Sequence, residues 1–211
     1  MEKQLMKRAI LFLLLTSFAV FNALSLAQEQ EDPVKFLQTL TNGLIQELNA
    51  RKAELKKDPG IILDIINRRV MPNIAAKTIA RKVMGRHWRA ATDEQKEKFT
   101  TEFTTYLKRY YAKAFLSYDD QQLRYDEKAK WLSPKSVLVR SELIQKDKAP
   151  VEIRYRLTRG KNGWLITDIV IEGVSLVISN QRQYDGLIRR EGLDTVIAKL
   201  AFANNRPFGE Q

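Results

Sequence analysis

A catalytic centre needs groups that move protons, attack electrophiles or hold metals, and this sequence supplies few of them. It has no cysteine, and its one histidine, His87, lies in Gly85-Arg86-His87-Trp88 directly behind a helical stretch. The usual structural zinc sets of Cys and His are therefore excluded. A histidine-dependent Ser nucleophile would have to rely on His87 alone, which reads instead as structural or incidental. Neither standard glycine-rich phosphate loop occurs. Asp119-Asp120 are adjacent acids with no further ligand pattern, and read as a helix-ending loop. A pair of carboxylates set for glycoside hydrolysis stays open, since any two acids can converge in space. No cluster of aromatics and acids marks a sugar site, however.

What the chain has in supply is apolar and aromatic surface at regular spacing. Asp32-Pro33 starts a helix, with Asp as the cap and Pro preset for the first turn. Leu37, Leu40, Leu44, Ile45 and Leu48 follow as an amphipathic stripe. Asp58-Pro59 repeats the start signal ahead of Ile61, Ile62, Ile65, Ile66 and Val70, and Pro72 ends or kinks that helix. A shorter helix through Ile79 and Val83 stops near Gly85. Thr92-Asp93-Glu94-Gln95 is a capping box. Behind it Phe99, Phe103, Tyr106, Leu107, Tyr110, Tyr111, Ala114 and Phe115 form one broad face, backed by Lys96, Lys98, Glu102, Lys108, Arg109 and Lys113.

The period then changes to two. Val137, Val139 and Leu143 alternate in one strand, and Val151, Ile153, Tyr155 and Leu157 in the next. Gly160-Lys161-Asn162-Gly163 turns the chain into Trp164, Leu165, Ile166, Ile169, Val170 and Ile171. A shorter strand is expected near Leu123 to Tyr125. Helical spacing resumes after Ser175, breaks at Gly192 and ends in a helix around Val196 to Leu200. Helices followed by hairpin-connected strands predict an α+β domain, with an antiparallel sheet of about four to five strands packed against several helices.

Residues 1–27 have the three parts of a secretory signal peptide. Lys3, Lys7 and Arg8 head an apolar run from Ala9 to Val20, and Ser25-Leu26-Ala27 offers small residues at the exit. Asn22 and the Ser25-x-Ala27 exit favour cleavage near Ala27 over a membrane anchor, which needs about 20 apolar residues. With no cysteine there is neither a lipid-anchored start nor a disulfide, so a soluble exported protein is expected. The 211 residues less 27 leave 184, enough for one domain, and the formal charge falls from +11 to +9 as three cations and one anion leave. The cations are spread along the chain and alternate with acids, as in Glu94-Gln95-Lys96-Glu97-Lys98. This reads as a solvated surface, or as attraction to anionic lipid head groups or an acidic partner, rather than nucleic-acid binding. A closed core and a ligand-lined cavity have the same apolar signature, so periodicity does not choose between them.

The stretch Trp164-x-Ile166-x-Asp168-Ile169-x-Ile171-Glu172-Gly173-Val174-Ser175-Leu176 resembles the MlaC family of periplasmic phospholipid-binding proteins, also called toluene-tolerance proteins. So do the helix Thr92-x-x-Gln95-x-x-x-Phe99-x-x-x-Phe103-x-x-x-Leu107-x-x-x-Tyr111 and the Val70-Met71-Pro72 junction. Tyr184 and the closing Leu193 to Leu200 helix fit the same pattern, so the resemblance spans nearly the whole exported chain.

The resemblance implies a soluble, monomeric periplasmic carrier, with the binding domain over residues 28–204 and a flexible tail at 205–211. It implies an apolar cavity between sheet and helices, with a phospholipid as cargo, no other cofactor, no metal and no catalytic residue. It also implies exchange with an outer-membrane lipoprotein–porin complex and an inner-membrane ABC transporter carrying a hexameric substrate-binding ring, in the service of outer-membrane lipid asymmetry. No nucleic-acid partner is expected. On this reading the tails lie between Phe99, Phe103, Leu107 and Tyr111 and the sheet residues Val151, Ile153, Tyr155, Leu157, Ile169 and Ile171. Ile66, Val70 and Ile79 add lining from the earlier helices, and Phe103→Asp or Tyr155→Asp should reduce lipid loading. Two other readings remain: an envelope enzyme using a carboxylate pair in a sheet-plus-helix cleft, and a non-lipid envelope adaptor with a closed core.

Overall fold

The computed structural model describes residues 31–116, 121–146 and 148–208. The signal peptide, Asp119-Asp120 and the last three residues lie outside the described residues.

Helix α1 (Pro33–Ala50) starts where the sequence indicates, because the Asp32 carboxylate accepts from the amides of Val34 at 2.7 Å and Lys35 at 3.0 Å. Helix α2 (Lys52–Lys57) is short, and α3 (Ile61–Arg69) follows a turn in which Asp58 accepts from the Gly60 amide at 2.8 Å. Pro72 sits in a single 3-10 turn, Met71–Asn73, and so ends α3 rather than kinking it. Helix α4 (Ala76–Met84) stops at Gly85, whose φ of +54° falls in the left-handed region. After the one-turn α5 (His87–Ala90) comes the 24-residue α6 (Asp93–Leu116). Its capping box is reciprocal: the Gln95 amide donates to Thr92 Oγ1 at 3.1 Å, and the Thr92 amide to Gln95 Oε1 at 3.0 Å.

Six strands form one antiparallel sheet: β1 (Gln122–Tyr125), β2 (Lys130–Ser133), β3 (Ser136–Ile144), β4 (Val151–Gly160), β5 (Gly163–Ile171) and β6 (Val174–Ser175). β1 and β2 share one edge of β3, and β4, β5 and β6 follow in order. The register aligns Val137, Leu157 and Ile166 across three strands, then Val139, Tyr155 and Ile169, then Ser141, Ile153 and Ile171. A bulge at Thr167 keeps Ile166 and Ile169 on the same face despite their spacing of three. The opposite face is polar, with Arg140 reaching Glu152 at 2.6 Å, Glu142 at 2.7 Å and Asp126 at 3.1 Å.

The β5–β6 turn has positive φ at both central residues, Glu172 (+49°) and Gly173 (+79°), the pairing a two-residue hairpin requires. Asp168 then anchors the change from sheet to helix. Its carboxylate accepts from Ser175 Oγ at 2.7 Å and from the Val177 amide at 3.2 Å, while Ser175 Oγ caps α7 (Leu176–Glu191) by accepting from Ile178. Gly192 separates α7 from α8 (Leu193–Asn204). Beyond α8 the Arg109 guanidinium donates to the Arg206 carbonyl at 2.6 Å and lies over the Phe208 ring.

The apolar interior is divided into three clusters. One joins α4, α6, α7 and α8 around Phe99, Phe103 and Tyr184. A second closes the sheet with the start of α1, through Phe36, Leu37, Val139, Tyr155 and Leu157. The third lies among α1, α2, α3 and the end of α6, through Leu44, Leu48, Ile62, Ile65 and Ala112.

Candidate functional site

The three clusters converge on one short stretch of chain. Val70 and Met71 pack on the third cluster, Ile74 on the second, and Ile79 and Ala80 on the first. The Ala75 amide ties this stretch to the sheet by donating to the Ile166 carbonyl at 3.0 Å. Pro72 explains why a single segment serves all three. It stops α3, sends the chain along the edge of β5 in extended form at Ile74, and lets α4 start afresh. Around such a junction the packing of each cluster ends, and apolar side chains at the rims are left half-buried.

Eight of the thirteen expected lining residues are half-buried: Val70, Ile79, Leu107, Tyr111, Val151, Ile153, Ile169 and Ile171. Val151, Ile153, Ile169 and Ile171 share the apolar face of the sheet, at the end away from the part closed by α1. Leu143, opposite Val151, and Leu123, opposite Leu143, extend the half-buried strip and were not among the expected set. Val70, Ile79 and Leu107 sit at the rims of the helical clusters.

The other five are closed off. Ile66 is 3 % exposed in the third cluster, while Tyr155 and Leu157 are buried beneath α1. Phe99 and Phe103 are fully buried in the first cluster. They stack on each other at 5.3 Å between centroids, both meet Tyr184 edge-on, and they belong to a helical cluster separate from the sheet residues they were to face. Burial also pushes the Tyr184 phenol well above its usual pKa.

Tyr111 lies elsewhere. With Tyr106, Tyr110, Lys113, Ala114, Ala203 and Arg206 it lines an open groove of about 570 Å³ between the end of α6 and the end of α8. Arg206 falls in the segment after Asn204, which the sequence pattern assigns to a tail. Its distance of about a hundred positions from Tyr106 leaves no local pattern to find it by.

His87 stands in a charged corner. His87 Nε2 lies 2.9 Å from Asp185 Oδ1, and Arg86 grips the same carboxylate at 3.0 and 3.1 Å. The His87 contact and the Arg86 guanidinium hold the Asp185 carboxyl below its usual range. These contacts link α5 to α7, which gives His87 the structural role its position suggests. Among the described residues no three His, Cys, Asp or Glu side chains are grouped to hold a metal. No helix among them is long and apolar enough to cross a membrane.

Comparison with known proteins places these features in context. The chain is 25 % identical over 201 residues to the intermembrane phospholipid transport system binding protein MlaC of Haemophilus influenzae, covering 94 % of this chain and 92 % of the relative. It is 27 % identical over 191 residues to toluene tolerance protein ttg2D of Pseudomonas putida, covering 90 % and 86 %. The fold matches that of a phospholipid-binding protein from Ralstonia solanacearum, solved in complex with a phospholipid, with a TM-score of 0.74 and 24 % identity over 82 % of this chain and 97 % of that one. Residues 38–201 match the family described as MlaC protein, running from α1 through the sheet into α8, and the chain belongs to the MlaC family.

Proposed function

We propose that this protein binds a phospholipid and carries it through the aqueous space between two membranes. The observation that carries the reading is the half-buried apolar strip of Val151, Ile153, Ile169 and Ile171 on one face of the sheet. Family membership supports it. In this reading the acyl chains lie along that strip, with Val70, Ile79 and Leu107 on the helical side. Phe99, Phe103, Tyr155 and Leu157 frame the site without touching lipid.

The physics favours a carrier over free diffusion. A phospholipid holds about 30 methylenes, each worth about 0.8 kcal/mol on leaving water, so unshielded passage is heavily penalised. A bilayer shields the same tails equally well, so transfer from membrane to protein is close to neutral. The carrier then needs no catalytic group and sets no direction. Direction comes from its partners, here an outer-membrane lipoprotein–porin complex and an inner-membrane ABC transporter with a hexameric ring. The site of action is the periplasm, reached through the N-terminal signal and cleavage near Ala27, and the carrier acts as a monomer.

Lipid extraction and native mass spectrometry of the purified protein test this reading. Phospholipid should co-purify. A protein that is empty, and remains so after incubation with phospholipid vesicles, would overturn it.

A further inference from the structure

The groove at the ends of α6 and α8 has a composition the cargo site does not explain. Its polar side chains are three phenols, one ammonium and one guanidinium, from Tyr106, Tyr110, Tyr111, Lys113 and Arg206, and no acid among the described residues lines it. Every one of these groups can donate a hydrogen bond. The rings form a row along α6, with Tyr106 stacked on Tyr110 at 6.2 Å and Tyr110 edge-on to Tyr111 at 5.1 Å. Tyr110 is 56 % exposed. Arg206 extends the surface: its guanidinium lies 5.0 Å from the centroid of Phe202, a ring 66 % exposed.

Exposed aromatic rings beside long-stemmed cations suit a membrane–water boundary. The rings enter the head-group layer while their polar tips and the cations meet phosphate oxygens. A soluble monomer gains nothing from leaving Tyr110 and Phe202 in water. Two further cations, Lys108 and Arg109, stand on the same stretch of α6. Lys108 donates to Asn67 at 2.9 Å, and Arg109 is buried on the Arg206 carbonyl.

We propose that the Tyr106–Tyr110–Tyr111 row with Lys113, Arg206 and Phe202 is the face by which this protein docks on bilayers containing anionic phospholipid. The proposal takes its purpose from the carrier reading but is tested apart from it. Binding to phosphatidylcholine vesicles doped with a quarter of phosphatidylglycerol is measured by co-sedimentation, using protein expressed from the full-length sequence. Each cation at an anionic surface multiplies partitioning about fivefold, so the charge reversal Arg206→Glu should weaken binding about 25-fold. Phe202→Ser and Tyr110→Ser, both at exposed positions, should weaken it without altering the unfolding midpoint. Lys161→Glu, an equal change of net charge in the exposed β4–β5 turn, should have little effect, because salt screens charges beyond about 10 Å.

Parent protein that ignores anionic vesicles would overturn the proposal. So would equal losses in Arg206→Glu and Lys161→Glu, which would mean net charge alone. Variants that keep vesicle binding but lose an acidic protein partner would also overturn it, in favour of a protein interface. Phospholipid content, measured on the same preparations before and after the vesicles, separates this question from the carrier reading. A parent that stays empty sinks the carrier, whereas a loaded parent with unchanged vesicle binding in all three groove variants sinks only the docking face.

Discussion

On the sequence Phe103 and Ile153 look alike, each a large apolar residue in the middle of a regular apolar pattern. In the structure they differ in kind. Phe103 is 1 % exposed, fixed between Phe99 and Tyr184, whereas Ile153 is half-buried on the open end of the sheet face. Removing the Phe103 ring leaves a cavity, so Phe103→Ala should cost about 3–5 kcal/mol of stability in denaturant titration. Phe103→Asp would bury a carboxylate there and report on folding rather than on loading. Ile153→Asp keeps its charge near water and should change stability far less, yet it sets a carboxylate against acyl chain and should lower the phospholipid recovered per protein. Full loading in a folded Ile153→Asp would remove the sheet strip from the site. Periodicity identified both residues as inward-facing and stopped there, because whether packing closes over a side chain depends on elements distant in sequence. For Phe103 that element is Tyr184 on α7. For Tyr155 it is the start of α1, which lays Phe36 and Leu37 in the same cluster.

At the scale of elements, local chemistry located most boundaries. Asp32, the Thr92–Gln95 box and Ser175 each cap the helix they precede, and Gly85 and Gly192 close helices at positive φ. Such signals are legible because donor, acceptor and backbone conformation lie within a few residues of one another. β2 shows the limit. All four of its residues are exposed, so there is no alternation to detect, and it exists through pairing with Val137 and Leu138 of β3. The capping box also bears on two of the apolar clusters, because α6 carries Phe99 and Phe103 in the first and Ala112 in the third. Gln95 does double duty, donating from Nε2 to Asp194 at the start of α8 at 2.8 Å. Thr92→Ala removes the acceptor for the Gln95 amide and should cost about 1 kcal/mol. Thr92→Ser restores the hydroxyl and should recover most of the loss in thermal melts. A Thr92→Ala protein as stable as the parent would mean that the Asp194 contact alone holds this end.

At the scale of the whole molecule, an exported chain of net formal charge +9 uses several of its carboxylates in ion pairs that join elements. Glu47 ties α1 to α3 through Arg69 and Arg68, Glu142 ties β3 to β1 through Arg124, and Glu152 ties β4 to β3 through Arg140. Asp185 ties α7 to α5 through His87 and to Arg86. In each case these hydrogen-bonded partners hold the carboxyl below its usual range. Because the folded-state pKa is lower than the unfolded one, the unfolded chain binds more protons in acid. The associated stability is therefore present above the ordinary carboxylate pKa of about 4 and is lost as pH falls through that value toward the folded ones. All four groups are solvent-accessible, so each contributes modestly, but protonation removes them together while raising an already positive charge. The unfolding midpoint should hold nearly level from neutral pH down to about 5 and fall steeply below about 4. Added salt should make the acid fall shallower by screening the repulsion. A midpoint that declines instead on going from pH 5 to neutral would mean that groups with raised folded pKa values, not these carboxylates, govern stability.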